Sequence, residues 1–133
     1  MLQGLTTVNL ISADVPATVA WYTELLGVQP YFVRPEQGPP AYVEFRLGPD
    51  EDELGILDSR FAAHPATGRP AGAVVYWHVD DVAAAVDRAI ALGATAHDPV
   101  IVREAGFVTG SIIDPFGNVI GLMHSPHWLA ARK

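Results

Sequence analysis

The chain repeats itself, and that repeat constrains the fold more than any other feature. Asp14 and Asp81 stand 67 positions apart (14 to 81), and at the same offset Val8, Val15, Ala17 and Val19 meet identical residues at Val75, Val82, Ala84 and Val86. Gly27 answers to Gly93 and Gly55 to Gly121 at an offset of 66 (27 to 93, 55 to 121), a one-residue slip inside the second helix. Five identities at one spacing point to one supersecondary unit used twice, each copy too small to bury its apolar face alone.

The first copy begins with an alternating strand over 6–12. Asp14 then offers an N-cap carboxylate, and Pro16 falls in the first helical turn, where its missing N–H does no harm. Val15, Val19, Tyr22 and Leu26 follow at helical spacing, and Gly27 stops the helix. Strands are predicted over 29–34, 41–47 and 53–58, separated by the turn-rich stretches 37–40 and 48–52. The second copy has a strand over 73–79, the cap Asp81, an apolar face at Val82, Val86 and Ile90, and the stop Gly93. Strands over 100–103, 107–113 and 119–124 complete it. The result is an α+β chain of two tandem βαβββ units at 5–59 and 73–125, with a linker over 60–72 and a tail over 126–133, all in one domain 1–133.

Half of the 133 residues are hydrophobic, enough for a packed interior. With eight Lys+Arg against fifteen Asp+Glu, duplex nucleic acid and anionic membrane are poor partners. No cysteine is present, which removes disulfides, thiolate metal sites and thiol nucleophiles. Met1-Leu-Gln-Gly-Leu-Thr-Thr7 lacks a basic stretch followed by a long apolar core, so no signal peptide is expected, and no run of 18 apolar residues could span a bilayer. A cytoplasmic location is the expectation.

Ser111–His124 reads S-I-I-D-P-F-G-N-V-I-G-L-M-H, a strand, a tight Asp-Pro-Phe-Gly-Asn turn and a returning strand. With the helix end Trp21-Tyr-Thr-Glu-Leu-Leu-Gly27, this resembles the glyoxalase / bleomycin-resistance / extradiol-dioxygenase (vicinal oxygen chelate) superfamily over nearly the whole chain. The resemblance implies duplicated βαβββ units, each curling its sheet around a cleft, and a homodimer. It also implies metal ligands at four pseudo-symmetric points: a His or Gln seven residues before each capping acid, and a Glu on each unit's last strand. Those points hold Thr7, Val74, Gly55 and Gly121. None supplies a ligand for a divalent ion, so neither a metal nor another cofactor is expected.

The residues expected to line the cleft are Thr7, Asn9, Ile11, Gly55, Leu57, Val74, Tyr76, His78, Gly121 and Met123, an apolar and aromatic surface with a few polar groups. Glycines where glutamates usually stand are expected to leave room for a flat or bulky ligand. The first reading is therefore a metal-free small-molecule-binding protein for apolar or aromatic ligands, cationic ones included given the acidic balance. The alternative is a metal-independent isomerase, epimerase or lyase on a small carbonyl compound, with His78 or Glu53 as base and Tyr76 or Asn9 as polarising partner. A third is a metalloenzyme drawing ligands from His78, His124 and His127. Each candidate also has a structural reading: His78 as a hydrogen-bonding strand end, Tyr76 as a core aromatic, and Glu44 with Arg46 as a paired, partly solvated face, with one of the two reaching the cleft mouth as the alternative.

Overall fold

A computed structural model describes residues 1, 3, 5–62 and 74–132. Most of the expected linker, from 63 on, and Ala73 lie outside the described residues. The chain divides into two compact units, Met1–Thr67 and Gly68–Lys133. Both are α+β, each with a mixed sheet and a covering helix, and they share one topology.

In the first unit β1 (Thr7–Ser12) leads to α1 (Val15–Leu26), then β2 (Phe32–Arg34), β3 (Tyr42–Leu47) and β4 (Asp52–Asp58), in the sheet order β1-β4-β3-β2. β1 runs parallel to β4, and the other pairs are antiparallel. Alternation along the strands sends Leu10, Val43, Phe45, Leu54 and Ile56 to one face, where they are buried with Val15, Thr18 and Tyr22 of α1. Thr18 was not anticipated in this face; its hydroxyl can be buried because it donates to the Asp14 carbonyl (2.7 Å) and shares a second hydrogen bond with the Ser12 hydroxyl (2.5 Å). β2 is shorter than expected, since Pro30 has no N–H to give a ladder.

The second unit repeats the order. β5 (Tyr76–His78) leads to α2 (Val82–Ala91), then two short pieces, β6 (Thr95–Ala96) and β7 (Ile101–Val102), then β8 (Val108–Ile113) and β9 (Val119–His124). β5 lies parallel to β9, β9 antiparallel to β8, and both β6 and β7 pair with β8, so together they stand where β2 stands in the first unit. The buried face of α2 is Val82, Val86 and Ala89, and Ile90 is 42 % exposed. Helical geometry explains the departure from expectation: Ala89 falls about 20° from Val82 around the axis, and Ile90 about 80°. In the Asp-Pro-Phe-Gly-Asn turn, Asp114 Oδ1 accepts the N–H groups of Phe116 (2.9 Å) and Asn118 (2.8 Å), and Oδ2 accepts Asn118 Nδ2 (3.0 Å). The tail forms α3 (Pro126–Ala130), capped by Ser125 Oγ, which accepts the Trp128 N–H.

Both long helices are capped as the sequence requires: Asp14 Oδ1 accepts from Ala17 N (3.1 Å) and Asp81 Oδ1 from Ala84 N (3.0 Å). Asp14→Ala and Asp81→Ala are each expected to cost about 1 kcal/mol, measured by urea unfolding; no change in either would mean that the caps are idle. No helix among the described residues is long and apolar enough to cross a membrane.

Candidate functional site

On the face of the first sheet opposite α1, strand register sets three cross-strand rows: Thr7, Glu53 and Arg46; Asn9, Gly55, Glu44 and Phe32; Ile11, Leu57, Tyr42 and Arg34. At the centre lies Glu44, only 8 % exposed. Its Oε1 accepts the Tyr42 hydroxyl (2.5 Å), its Oε2 accepts the Tyr31 hydroxyl, and the Tyr42 oxygen also lies 3.3 Å from Asn9 Oδ1. Thr7 Oγ1 donates to Glu53 Oε2 (3.0 Å). The expectation that Glu44 and Arg46 form a partly solvated pair is corrected here. Glu44 is sequestered by two phenols, while Arg46 reaches Glu51 at 3.7 Å.

The electrostatics follow from these contacts. Burial pushes the Glu44 carboxyl up, but hydrogen bonds with Tyr31, Tyr42 and Glu53 and the charge of Arg46 outweigh it and hold the group below the usual carboxylate range. Tyr31 is raised above the ordinary phenol range, chiefly by its bond to Glu44. Tyr42 is raised further, by burial first and then by the same carboxylate. A proton-transfer catalyst needs groups moved towards the working pH. This base is made weaker and these acids weaker still, and together the carboxylate and two phenols form a hydrogen-bonded floor to this face.

Gly55 is what lets that floor close. A Cβ there would stand 2.3 Å from Asn9 Oδ1 and 2.5 Å from the Tyr42 hydroxyl. The second unit does the same with other residues: a Cβ on Gly121 would stand 2.7 Å from both Tyr76 Cδ1 and the Val75 carbonyl. The room expected above the two glycines is therefore filled, by Tyr42 and Asn9 in one unit and by Tyr76 in the other. Close approach of an aromatic ring to bare backbone is the physical reason for glycine at both points.

Beside Tyr76 the second unit carries a shallow groove of about 610 Å³ lined by Tyr76, Arg103, Glu104, Phe107, Thr109 and Met123. Arg103 Nε donates to Thr109 Oγ1 (3.1 Å). Val74 is exposed on the approach to β5. His78 sits in the Met123 row, but its side chain is 7 % exposed, stacked on Trp128 at 4.4 Å and 8°. Its Nδ1 accepts the Ser125 N–H (3.1 Å), and Nε2 lies 3.6 Å from Asp80 Oδ1.

At the four positions where the resemblance places metal ligands, the residues present do not fit a divalent ion. Thr7 spends its hydroxyl on Glu53, Val74 has no donor, and the two glycines have neither donor nor space. His78 and His124 have ring centroids 5.3 Å apart, but His127 turns edge-on to Phe107. Among the described residues no group of three or more His, Cys, Asp or Glu is arranged to hold a metal ion.

Tyr31, Tyr42, Arg103 and Phe107 are not among the residues that the sequence singles out, and Glu44 is, but as half of a partly solvated pair. Tyr42 is legible in principle, because it alternates with Glu44 on a strand whose neighbours are assigned. Tyr31 falls inside the strand expected over 29–34 but immediately before the observed β2, where its N–H still donates to the Glu44 carbonyl (3.0 Å) and its hydroxyl reaches the Glu44 carboxylate.

Comparison with known proteins agrees with this architecture. The family model for the Glyoxalase/Bleomycin resistance protein/Dioxygenase superfamily matches residues 4–122. No curated protein matches. Among solved structures, a glyoxalase-related enzyme from Fulvimarina pelagi is 21 % identical with a TM-score of 0.72, covering 94 % of this chain and 90 % of that one. TioX from Micromonospora sp. ML1 is 20 % identical, TM-score 0.67, covering 92 % and 98 %. A lactoylglutathione lyase from Agrobacterium tumefaciens is 20 % identical, TM-score 0.68, covering 96 % and 97 %. At such identities these likenesses concern the fold alone.

Proposed function

The chain belongs to the glyoxalase/bleomycin resistance protein/dioxygenase superfamily, and within it we propose that it is a metal-free small-molecule-binding protein for apolar or aromatic ligands, working as a homodimer in the cytoplasm. One observation carries the reading: at two of the superfamily's metal positions, Gly55 and Gly121, a tyrosine side chain covers the bare backbone. What such a surface offers is π-faces and a few fixed hydrogen bonds, the make-up of a recognition site. Ligand contacts are proposed for Thr7, Asn9, Ile11 and Leu57 in the first unit and for Val74, Tyr76 and Met123 in the second, while Gly55 and Gly121 shape the surface from beneath their tyrosines and His78 from beneath Trp128. The dimer and the location rest on the superfamily resemblance and the sequence expectations.

The metal-independent acid–base reading has less support. His78 already uses Nδ1 to accept a backbone N–H beneath Trp128, and Glu53 already accepts from Thr7. Protein purified without chelator is expected to carry no stoichiometric metal and to keep its Tm when zinc, nickel, manganese or chelator is added. An aromatic ligand is expected to raise Tm with concentration. Stoichiometric metal with a chelator-sensitive melt would overturn the proposal.

A further inference from the structure

Building on the binding reading above, we propose that the Tyr31 ring is a seat for a planar organic cation, and that in the free protein the Arg46 guanidinium occupies that seat. Arg46 Cζ lies 4.1 Å from the Tyr31 ring centroid, within the range where a cation is attracted to the π-face. Arg34 takes the same position over Phe32, also at 4.1 Å. The surface thus already holds two planar cations of its own.

Three features make the Arg46 seat exchangeable. The Tyr31 residue is 44 % exposed, so its face can be reached. Its hydroxyl is anchored on the Glu44 carboxylate, so the ring stays in place when the guanidinium leaves. Arg46 also pairs with Glu51 at 3.7 Å, between side chains 46 % and 70 % exposed, a pair that contributes little, and its attraction to Glu44 is one that an incoming cation takes over. A ligand that joins an amidinium or guanidinium to an aromatic ring would replace the Arg46 cation on Tyr31 and the charge that Arg46 now sets against the covered Glu44 carboxylate. Its apolar part would extend along the aromatic run, in which Tyr31 and Phe32 lie 6.1 Å apart and Phe32 and Tyr42 6.3 Å. Arg46 is then a specificity residue. It competes with weak cations and yields to planar ones that bring an additional apolar surface.

Titration calorimetry of the full chain with benzamidine, and with neutral benzamide as its isostere, tests this. Benzamidine is expected to bind at least about tenfold more tightly than benzamide. Arg46→Gln is expected to tighten benzamidine about two- to fivefold, the yield of an exposed cation–π contact no longer competed for. Tyr31→Leu should weaken benzamidine and cancel the gain from Arg46→Gln in the double variant, while Tyr31→Phe, which keeps the ring, should retain that gain. A gain that persists without the ring would reduce Arg46 to a bulk charge effect and overturn the proposal, as would equal binding of benzamide or none of benzamidine. If a neutral aromatic raises Tm and benzamidine does not, this proposal falls while the binding reading stands; stoichiometric metal would remove the binding reading itself.

Discussion

Gly121→Ala is expected to destabilise the protein by about 3 kcal/mol, near the upper end for forcing one methyl into filled space. The new Cβ would stand 2.7 Å from the Val75 carbonyl oxygen and 2.7 and 2.9 Å from Cδ1 and Cγ of Tyr76. Neither neighbour can give way cheaply. The carbonyl is backbone and accepts the Gly121 N–H at 3.0 Å, and the ring atoms are the root of the side chain, not its tip. β5 has only three residues, paired through Tyr76, Trp77 and His78 to β9, so a local shift frees the whole strand. Gly55→Ala should cost less, about 1–2 kcal/mol, because the atoms in its way are the ends of Asn9 and Tyr42 and Asn9 is exposed. Thermal unfolding should show Gly121→Ala lowering Tm by roughly 10 °C. A fall within about 2 °C of the parent, or a larger fall for Gly55→Ala, would mean that Tyr76 does not rest on that backbone.

The same two glycines mark how far the sequence could be read. Their symmetry was visible, because a duplicated offset is a property of the chain itself, and so was the absence of a ligand from either. What filled the space was not visible. Tyr76 covers its glycine from the directly paired strand position, whereas Tyr42 comes from the Leu57 row and leans diagonally across to Asn9. Register can be inferred from alternation, but the lean of a side chain within its row depends on which neighbour is missing. The helices were legible through their caps and 3.6-residue spacing, with one slip at the stripe's edge, where Ala89 is buried and Ile90 is not. β6 and α3 carry too few residues to show a period. Glu44 was misread for a deeper reason: a charged residue between apolar ones on a strand normally signals a solvated face. Two phenols, Tyr42 on the same strand and Tyr31 at the head of β2, supply the hydrogen bonds that make its burial tolerable.

Glu44→Gln tests that arrangement, and its effect is expected to depend on pH in a defined sense. At neutral pH the substitution should cost about 2–3 kcal/mol, since two phenols lose a charged acceptor in a covered site. The carboxyl is held below its ordinary range in the folded protein, so its contribution is present above the unfolded carboxylate value of about 4.3 and drains away as the pH falls towards the lower folded value. Tyr31 and Tyr42 are displaced the other way. Their contribution is in place below the unfolded phenol value of about 10 and is lost as the pH rises through the raised folded values. The parent should therefore lose stability on both the acid and the alkaline limb, and Glu44→Gln should flatten both. Some acid slope should remain in the variant, because Asp58 is also held low, chiefly by its hydrogen bonds with Arg60. Urea unfolding across pH gives the limbs, and absorbance of the phenolate gives the tyrosines directly. In the variant two tyrosines should ionise closer to pH 10 than in the parent. If they titrate alike in both proteins, the phenols are not donating to Glu44. The Tyr31 ring would then have no anchor, and the seat occupied by Arg46 would lose its fixed geometry.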